Sequence, residues 1–500
     1  MTEPVSAASD ERRALLPPTD LGLLDRSLLS SIAWTAAAKW IAQTLSWAGT
    51  LVVVRLLDPT DYGIMGMATA FLALLQPLCD FGIAAAIVQG RDLSETHIAR
   101  LNGFAIGLGI ACAVVVAALS FPIAAFFGDD RLIAIVRVLG AGFLLGALRV
   151  VPTALLAREM RFRALALLET AEALTGIATT ISLAATGHGY WSLVLGPLVA
   201  RAVGSALAMT TRPFTIGNPL PIGRIRGTVR FGAWVTISTL AWYAYSSSDR
   251  VIVGRLVGEA ALGAYSISLT IASMPIDKIG ELYQRVAGSV ISRVQHDAAA
   301  IGRYMLRITE GVAMLSFPAS AGLALVADLF VDVVLGAQWR AAVVPLRVLA
   351  AAAAIRSLDP LLAQVLVATG HAKQNARSMI LAAITLPIAF LIGSTGGVAG
   401  VAAVWLIGHP LVIMTQQIRK TIAVADITLR DYLAALRPAT TGTLFMAAAV
   451  GGTRMLVGHR MSAAPSLALL IAIGAATYVL SLVSFFPQRL SAARAFIRRR

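Results

Sequence analysis

The chain has 500 residues, of which 58% are hydrophobic and 13% charged, and its mean hydropathy is +0.79. A soluble domain is about one-quarter charged, so folding in water would leave too much apolar surface wet, and a water-soluble protein is excluded. The net charge of +15 and the pI of 10.6 then point to basic loops beside anionic lipid headgroups rather than to nucleic acid.

Residues 1–27 are polar and contain Pro17-Pro18. They predict a disordered cytoplasmic tail, lacking the short apolar core and small-residue cleavage site of a signal peptide. Beyond them, apolar stretches of about 20 residues, enough to cross a hydrocarbon core of roughly 30 Å, recur to the end of the chain. They predict an all-α integral membrane fold of about fourteen spans. These fall near 28–54, 62–90, 97–127, 132–156, 162–186, 189–211, 228–254, 262–288, 305–334, 342–368, 376–394, 396–418, 432–457 and 463–486. Pro77 and Pro122 are expected bend points in the long second and third spans.

Loop charges test this arrangement independently. With the N-terminus in the cytoplasm, 25 Lys and Arg outside the spans fall on the inner side and only Arg55, Arg131, Arg255, Arg340, Arg454 and Arg460 on the outer side. That bias is the positive-inside pattern, and it predicts a multi-pass inner-membrane protein with both termini cytoplasmic. Cys79 and Cys112 are the two cysteines and the six histidines are scattered, so neither a CxxC motif nor a metal cluster is expected.

The chain also repeats itself. Val52-Val53-Val54-Arg55 leads to Asp61-Tyr62-Gly63, and Ile252-Val253-Gly254-Arg255 leads to Leu262-Gly263-Ala264-Tyr265. Pro77…Gly82 is matched by Pro275…Gly280 in the same order. A repeat of six spans enters the membrane twice in the same direction, so the halves are related by an axis along the membrane normal. The expected organisation is a lobe at 28–211, a Gly- and Pro-rich cytoplasmic linker at 212–227, a second lobe at 228–418, two further spans at 432–486 and a basic cytoplasmic tail at 487–500. Small-residue pairs such as Gly103/Gly107, Gly142/Gly146 and Gly254/Gly258 read as helix packing.

Twenty charged residues remain within or at the edges of spans. Each costs roughly 2.5–3.5 kcal/mol at a helix centre on insertion scales, so they should face a wet cavity or one another. Candidate cavity cations are Lys39, Arg149, Arg201, Lys278, Arg285 and Arg356. Lys39 has no acid within a turn of its own helix; Arg149 and Arg201 are isolated in theirs, with pairing across the fold left open. Candidate ion-coupling acids are Asp80, Glu169, Glu172, Asp277, Glu281 and Glu310. Glu169 and Glu172 are like charges one turn apart, suited to a proton carrier or to pairing with Arg149 or Arg201. Asp277, Glu281 and Arg285 share one helical face, with Lys278 beside them, as a neutralised ladder or a lumenal face. Arg356 and Asp359 read as a local pair, and Asp249-Arg250 as charges snorkelling near the outer end of the seventh span.

Arg55-Leu56-Leu57-Asp58-Pro59-Thr60-Asp61-Tyr62-Gly63, with Asp80-Phe81-Gly82-Ile83, resembles the opening of bacterial polysaccharide-biosynthesis flippases. Ser248-Asp249-Arg250-Val251-Ile252-Val253-Gly254-Arg255-Leu256 resembles it again. These proteins belong to the multidrug/oligosaccharidyl-lipid/polysaccharide exporter superfamily, and the resemblance covers residues 28–486. It implies a two-lobed secondary transporter that moves a polyprenyl-diphosphate-linked oligosaccharide to the outer leaflet through a cationic cavity. It implies no cofactor and no catalytic residue; membrane lipid is a partner, and a polysaccharide polymerase and glycosyltransferases are partner classes left open. A drug or small-solute antiporter of the same superfamily is the main alternative. A membrane glycosyltransferase or polymerase is disfavoured by short outer loops, in which Asp129-Asp130 reads as an acidic turn. The absence of a GxxxxGK[ST] loop disfavours an ATP-driven pump.

Overall fold

The computed structural model describes residues 43–80, 83–89, 94–218, 242–243, 245–294, 297–457 and 461–488. Lys39 and most of the linker lie outside the described residues, as do the side chains of Asp80, Glu281 and Arg285. Among the described residues the chain is helical throughout, with no strand.

The first half contains α1 (43–56), α2 (Pro59–Asp80), α3 (Ile83–Gln89), α4 (Glu95–Phe127), α5 (Arg131–Arg158), α6 (Phe162–Ala185) and α7 (Tyr190–Thr211). The second contains α8 (245–252), α9 (Glu259–Arg293), α10 (Ala298–Leu325), α11 (Ala327–Phe330), α12 (Val343–Arg356), α13 (Asp359–Ala368), α14 (Ala372–Ser394), α15 (Gly397–Ala403) and α16 (Thr415–Val424). The helices α17 (Leu429–Val457) and α18 (Ala463–Phe485) follow and pack on α10. Ten helical segments among the described residues are long and apolar enough to cross a membrane. α2 and α9, of 22 and 35 residues, also have spanning length.

Local chemistry explains the boundaries. α4 starts where the Ser94 hydroxyl accepts the His97 N–H at 3.2 Å, an N-cap, and stops at Gly128, whose φ of +76° disfavours a side chain. Pro122 sits inside α4 without ending it. The spans at 337–368 and 397–424 are different, because both lose regular α-helix part-way. The first is interrupted at Ser357-Leu358, just before Asp359-Pro360, since Pro360 has no N–H for the carbonyl four residues back and its ring crowds that carbonyl. The second passes through two π-helical turns, Val404–Gly408 and Pro410–Met414, around His409. Pro410 lacks an N–H and its ring crowds the carbonyl four residues back, which favours such a turn.

The two halves meet along α2 and α9. A Cβ on Gly63 would overlap the Glu259 carbonyl, and a Cβ on Gly263 would overlap the Pro59 carbonyl. Both partners of one contact are offset by 200 residues from those of the other, so the two helix starts grip each other reciprocally, as a two-fold relation requires. Glycine is obligatory here because backbone meets backbone. The other small-residue pairs do not all pack helices. Gly254 does, against Leu262, Phe127 and Met67; Gly107 and Gly146 face open space, and the space over Gly142 holds the Arg201 guanidinium, 2.9 Å from a notional Cβ.

Candidate functional site: a cationic cavity and a closed end

Most intramembrane charges are paired. Asp328 binds Arg454 and lies 3.5 Å from Arg347, and Asp332 binds Arg340 at 3.2 Å. Arg137 donates to the Ser120 hydroxyl at 3.2 Å and lies over the Phe121 ring. Arg149 on α5 donates to Glu172 on α6 at 2.5 Å, and the pair lies beside Gly204 on α7. The cross-fold pairing left open for Glu172 is therefore realised with Arg149. Glu169, Asp277, Lys278 and Glu310 each have an interaction of their own.

Arg201 is not paired. Among the described residues it is a half-buried intramembrane cation with no hydrogen bond, ion pair or ring contact. It lies one helical turn from Gly204, so the Arg149–Glu172 pair continues its polar row along α7. Its guanidinium lines a cavity of about 260 Å³ with Met65, Thr69 and Leu72 of α2, Phe143 of α5 and Pro197 of α7. Tyr243, immediately before α8, supplies a wall from the other half. The volume lies just under the roughly 300–1,000 Å³ of small-ligand pockets. It suits an anionic headgroup rather than a whole oligosaccharide. A guanidinium offers five donors in a fixed fork that matches phosphate oxygens, and in a non-aqueous setting each such bond is strong.

The second half holds a polar cluster that departs from the sequence expectation. Asp249 does not snorkel: it is 0% exposed and accepts hydrogen bonds from the Tyr265 hydroxyl at 2.7 Å and the Trp405 Nε1 at 2.9 Å. Arg356 and Asp359 do not form a local salt bridge. Arg356 lies over the Trp405 ring, 4.1 Å from its centre, and Asp359 meets His409 Nε2 at 3.1 Å. The aromatic and histidine partners came from a span too distant in sequence to be read from either helix alone.

At the arginine-poor ends the halves are sealed together. Arg55 donates to the Val333 and Val334 carbonyls, Gln338 donates to the Arg55 carbonyl at 3.2 Å, and the Trp339 Nε1 donates to the Val54 carbonyl at 2.8 Å. Trp339 also meets Tyr62 edge-on, with centres 5.3 Å apart. Arg131 reaches Glu259 at 2.9 Å and Asp129 at 2.7 Å. Burial alone would raise the Asp129 carboxyl, but the hydrogen bonds from the Arg131 side chain and N–H outweigh it and hold the group below its usual range. Asp129 therefore braces Arg131 across the interface, which gives the acidic turn a structural task. Sequence reasoning counted Arg131 as a loop charge and used Arg55 as a loop charge and a marker of the repeat, without a partner for either.

The model of a family described as polysaccharide biosynthesis protein matches residues 52–344. The chain belongs to this family. It is 26% identical over 394 residues to the lipopolysaccharide biosynthesis protein WzxC of Escherichia coli, covering 77% of this chain and 78% of that one. It is 25% identical over 488 residues to the teichuronic acid biosynthesis protein TuaB of Bacillus subtilis, covering 93% and 97%. Its fold matches the lipid II flippase MurJ in an inward closed conformation with a TM-score of 0.76, at 12% identity and over 92% and 100% of the two chains. The chain is thus a multi-pass membrane protein with the fold of that exporter superfamily.

Proposed function

We propose that the protein flips a polyprenyl-diphosphate-linked oligosaccharide from the cytoplasmic to the outer leaflet of a bacterial inner membrane, for polysaccharide biosynthesis. The single observation that carries this is Arg201: a cation with no partner among the described residues, walling a cavity of the first half to which Tyr243 of the second contributes. Family membership and the names of WzxC, TuaB and MurJ support the same class of cargo.

The chemistry follows from solubility. A polyprenyl tail is soluble in lipid and stays there, while the diphosphate-sugar head needs polar company to cross. Arg201 replaces part of the head's water and counterions, and Arg149, loosened from Glu172, lies one turn further along. Lys39, Lys278, Arg285 and Arg356 remain further cavity cations in this reading. The positive-inside count puts the sealed, arginine-poor end outward, so this conformation receives cargo from the cytoplasm. Rocking of the halves about α2 and α9 then exposes the cavity to the other side. No covalent step is required of the protein.

The test is a flipping assay in liposomes, using a fluorescent short-chain polyprenyl diphosphate disaccharide and a quencher confined to the outside. Arg201→Ala lowers the flipping rate tenfold or more, and Arg201→Lys retains part of it because the charge survives without the fork. Wild-type flipping by Arg201→Ala, or transport of lipophilic cations instead of the lipid, overturns the proposal.

A further inference from the structure

Buried His409 and Asp359, whose side chain is one-fifth exposed, form an acid–histidine pair where two broken spans meet, away from the residues that line the Arg201 cavity. Both spans depart from regular α-helix beside these residues, the first at Ser357-Leu358 and the second in the π-helical turns around His409. The Ser357 hydroxyl fills part of the first break, donating to the Ala354 carbonyl at 2.7 Å and meeting Ser316 at 2.8 Å. His409 is 3% exposed, its Nε2 faces Asp359 Oδ2 at 3.1 Å, and its buried Nδ1 has no hydrogen-bond partner. The Asp359 Oδ1 is buried and equally without one. A structural pair of this kind would normally use all its polar atoms, because each buried orphan costs about 1–3 kcal/mol in stability.

We infer that this pair is the ion-coupling site of the flippase reading above, and that the ion it takes is a proton. A metal cation would need several converging oxygens, whereas an imidazole and a carboxyl in contact bind and release one proton as a unit. The step balances simply: Asp359 gains a proton from one side of the membrane as a carboxylic acid and returns it to the other side. The surroundings respond to that change. Arg356, on α12, is within electrostatic reach of both members of the pair. Tyr245 on α8 and Tyr432 on α17 are within reach of Asp359. The helices α9 and α10 also pack against α13, and they carry Asp277, Lys278 and Glu310, each with an interaction of its own, while Glu281 and Arg285 also lie on α9.

Neutralising Asp359 removes its electrostatic pull on Arg356, which lies over the Trp405 ring. Trp405 in turn donates to Asp249 and lies 5.6 Å from His409, ring centre to ring centre. The same segment that presents Tyr245 to this cluster presents Tyr243 to the Arg201 cavity. Two residues close in sequence therefore touch the cargo cavity and the proton pair, one each.

Two readouts on the full-length protein keep this test separate from the cargo assignment. First, infrared difference spectra of wild type in liposomes are recorded as pH is lowered from about 8 to 5, the window of histidine chemistry. A protonated buried carboxyl band appears, is absent in Asp359→Asn, and shifts its midpoint by one pH unit or more in His409→Gln. A band unchanged in Asp359→Asn overturns the inference. Second, surface polysaccharide is followed in cells with and without a protonophore. Wild-type export falls at least fivefold on collapse of the gradient, while Asp359→Asn, at wild-type membrane abundance, already exports at the collapsed rate and does not respond further. Export that ignores the protonophore in wild type overturns the proton site and leaves the flippase reading standing.

Discussion

Gly263→Ala perturbs the seal between the halves where the structure leaves least room. The new methyl overlaps the Pro59 carbonyl and approaches the Gly63 amide nitrogen at 3.1 Å. Both neighbours are main chain, so no rotamer change relieves the contact and α2 must move away from α9. Overpacking of this kind costs about 1–3 kcal/mol. All of it falls on the conformation sealed at the arginine-poor end, because an open end separates these helix starts. The equilibrium therefore shifts toward the open form by about 5- to 150-fold. Spin labels at Asp130 and Ala337, exposed on opposite sides of the seal, report the distance distribution in liposomes. A longer-distance population grows in Gly263→Ala. Gly311→Ala is the control, since nothing lies within 4 Å of a Cβ there. A distribution identical in the two variants refutes the assignment of this contact as a closure.

Further outcomes follow from other contacts. Trp339→Phe keeps an aromatic ring against Tyr62 but removes the donor to the Val54 carbonyl, a loss of about 1–3 kcal/mol for a buried group. The same label pair should widen in the same direction, and an unchanged distance would contradict this. Arg149→Ala leaves Glu172 unpaired and lowers thermal stability in detergent; Arg149→Ala/Glu172→Ala recovers much of the loss, whereas an additive double variant would deny the pairing. Lys39→Ala abolishes export at normal membrane abundance, because the sequence places no acid three or four positions from it; wild-type export by this variant removes it from the cargo path.

The spans were legible because hydrophobic length has one cause, the thickness of hydrocarbon. The apolar run expected at 162–186 is helical at Phe162–Ala185, and that expected at 463–486 at Ala463–Phe485. The repeat was legible too, since Gly63 and Gly263 make a reciprocal backbone contact that leaves no room for a side chain. Charge roles were less so. Sequence spacing shows neighbours on one helix, and it suggested a pair between Arg356 and Asp359. The partners that win, Trp405 and His409, lie one span pair away, and Arg149 finds Glu172 on an adjacent helix. Counting buried charges consequently overstates the polar path, because many cancel one another and Arg201 does not.

The measurement closest to the central claim is made on a strain lacking the gene, whose membrane lipids are fractionated and analysed by mass spectrometry for leaflet and head group. The account predicts that a polyprenyl-diphosphate oligosaccharide accumulates on the cytoplasmic side and that the restored gene clears it, while a restored Arg201→Ala gene does not. Normal lipid distribution and normal surface polysaccharide, with altered drug sensitivity alone, would contradict it.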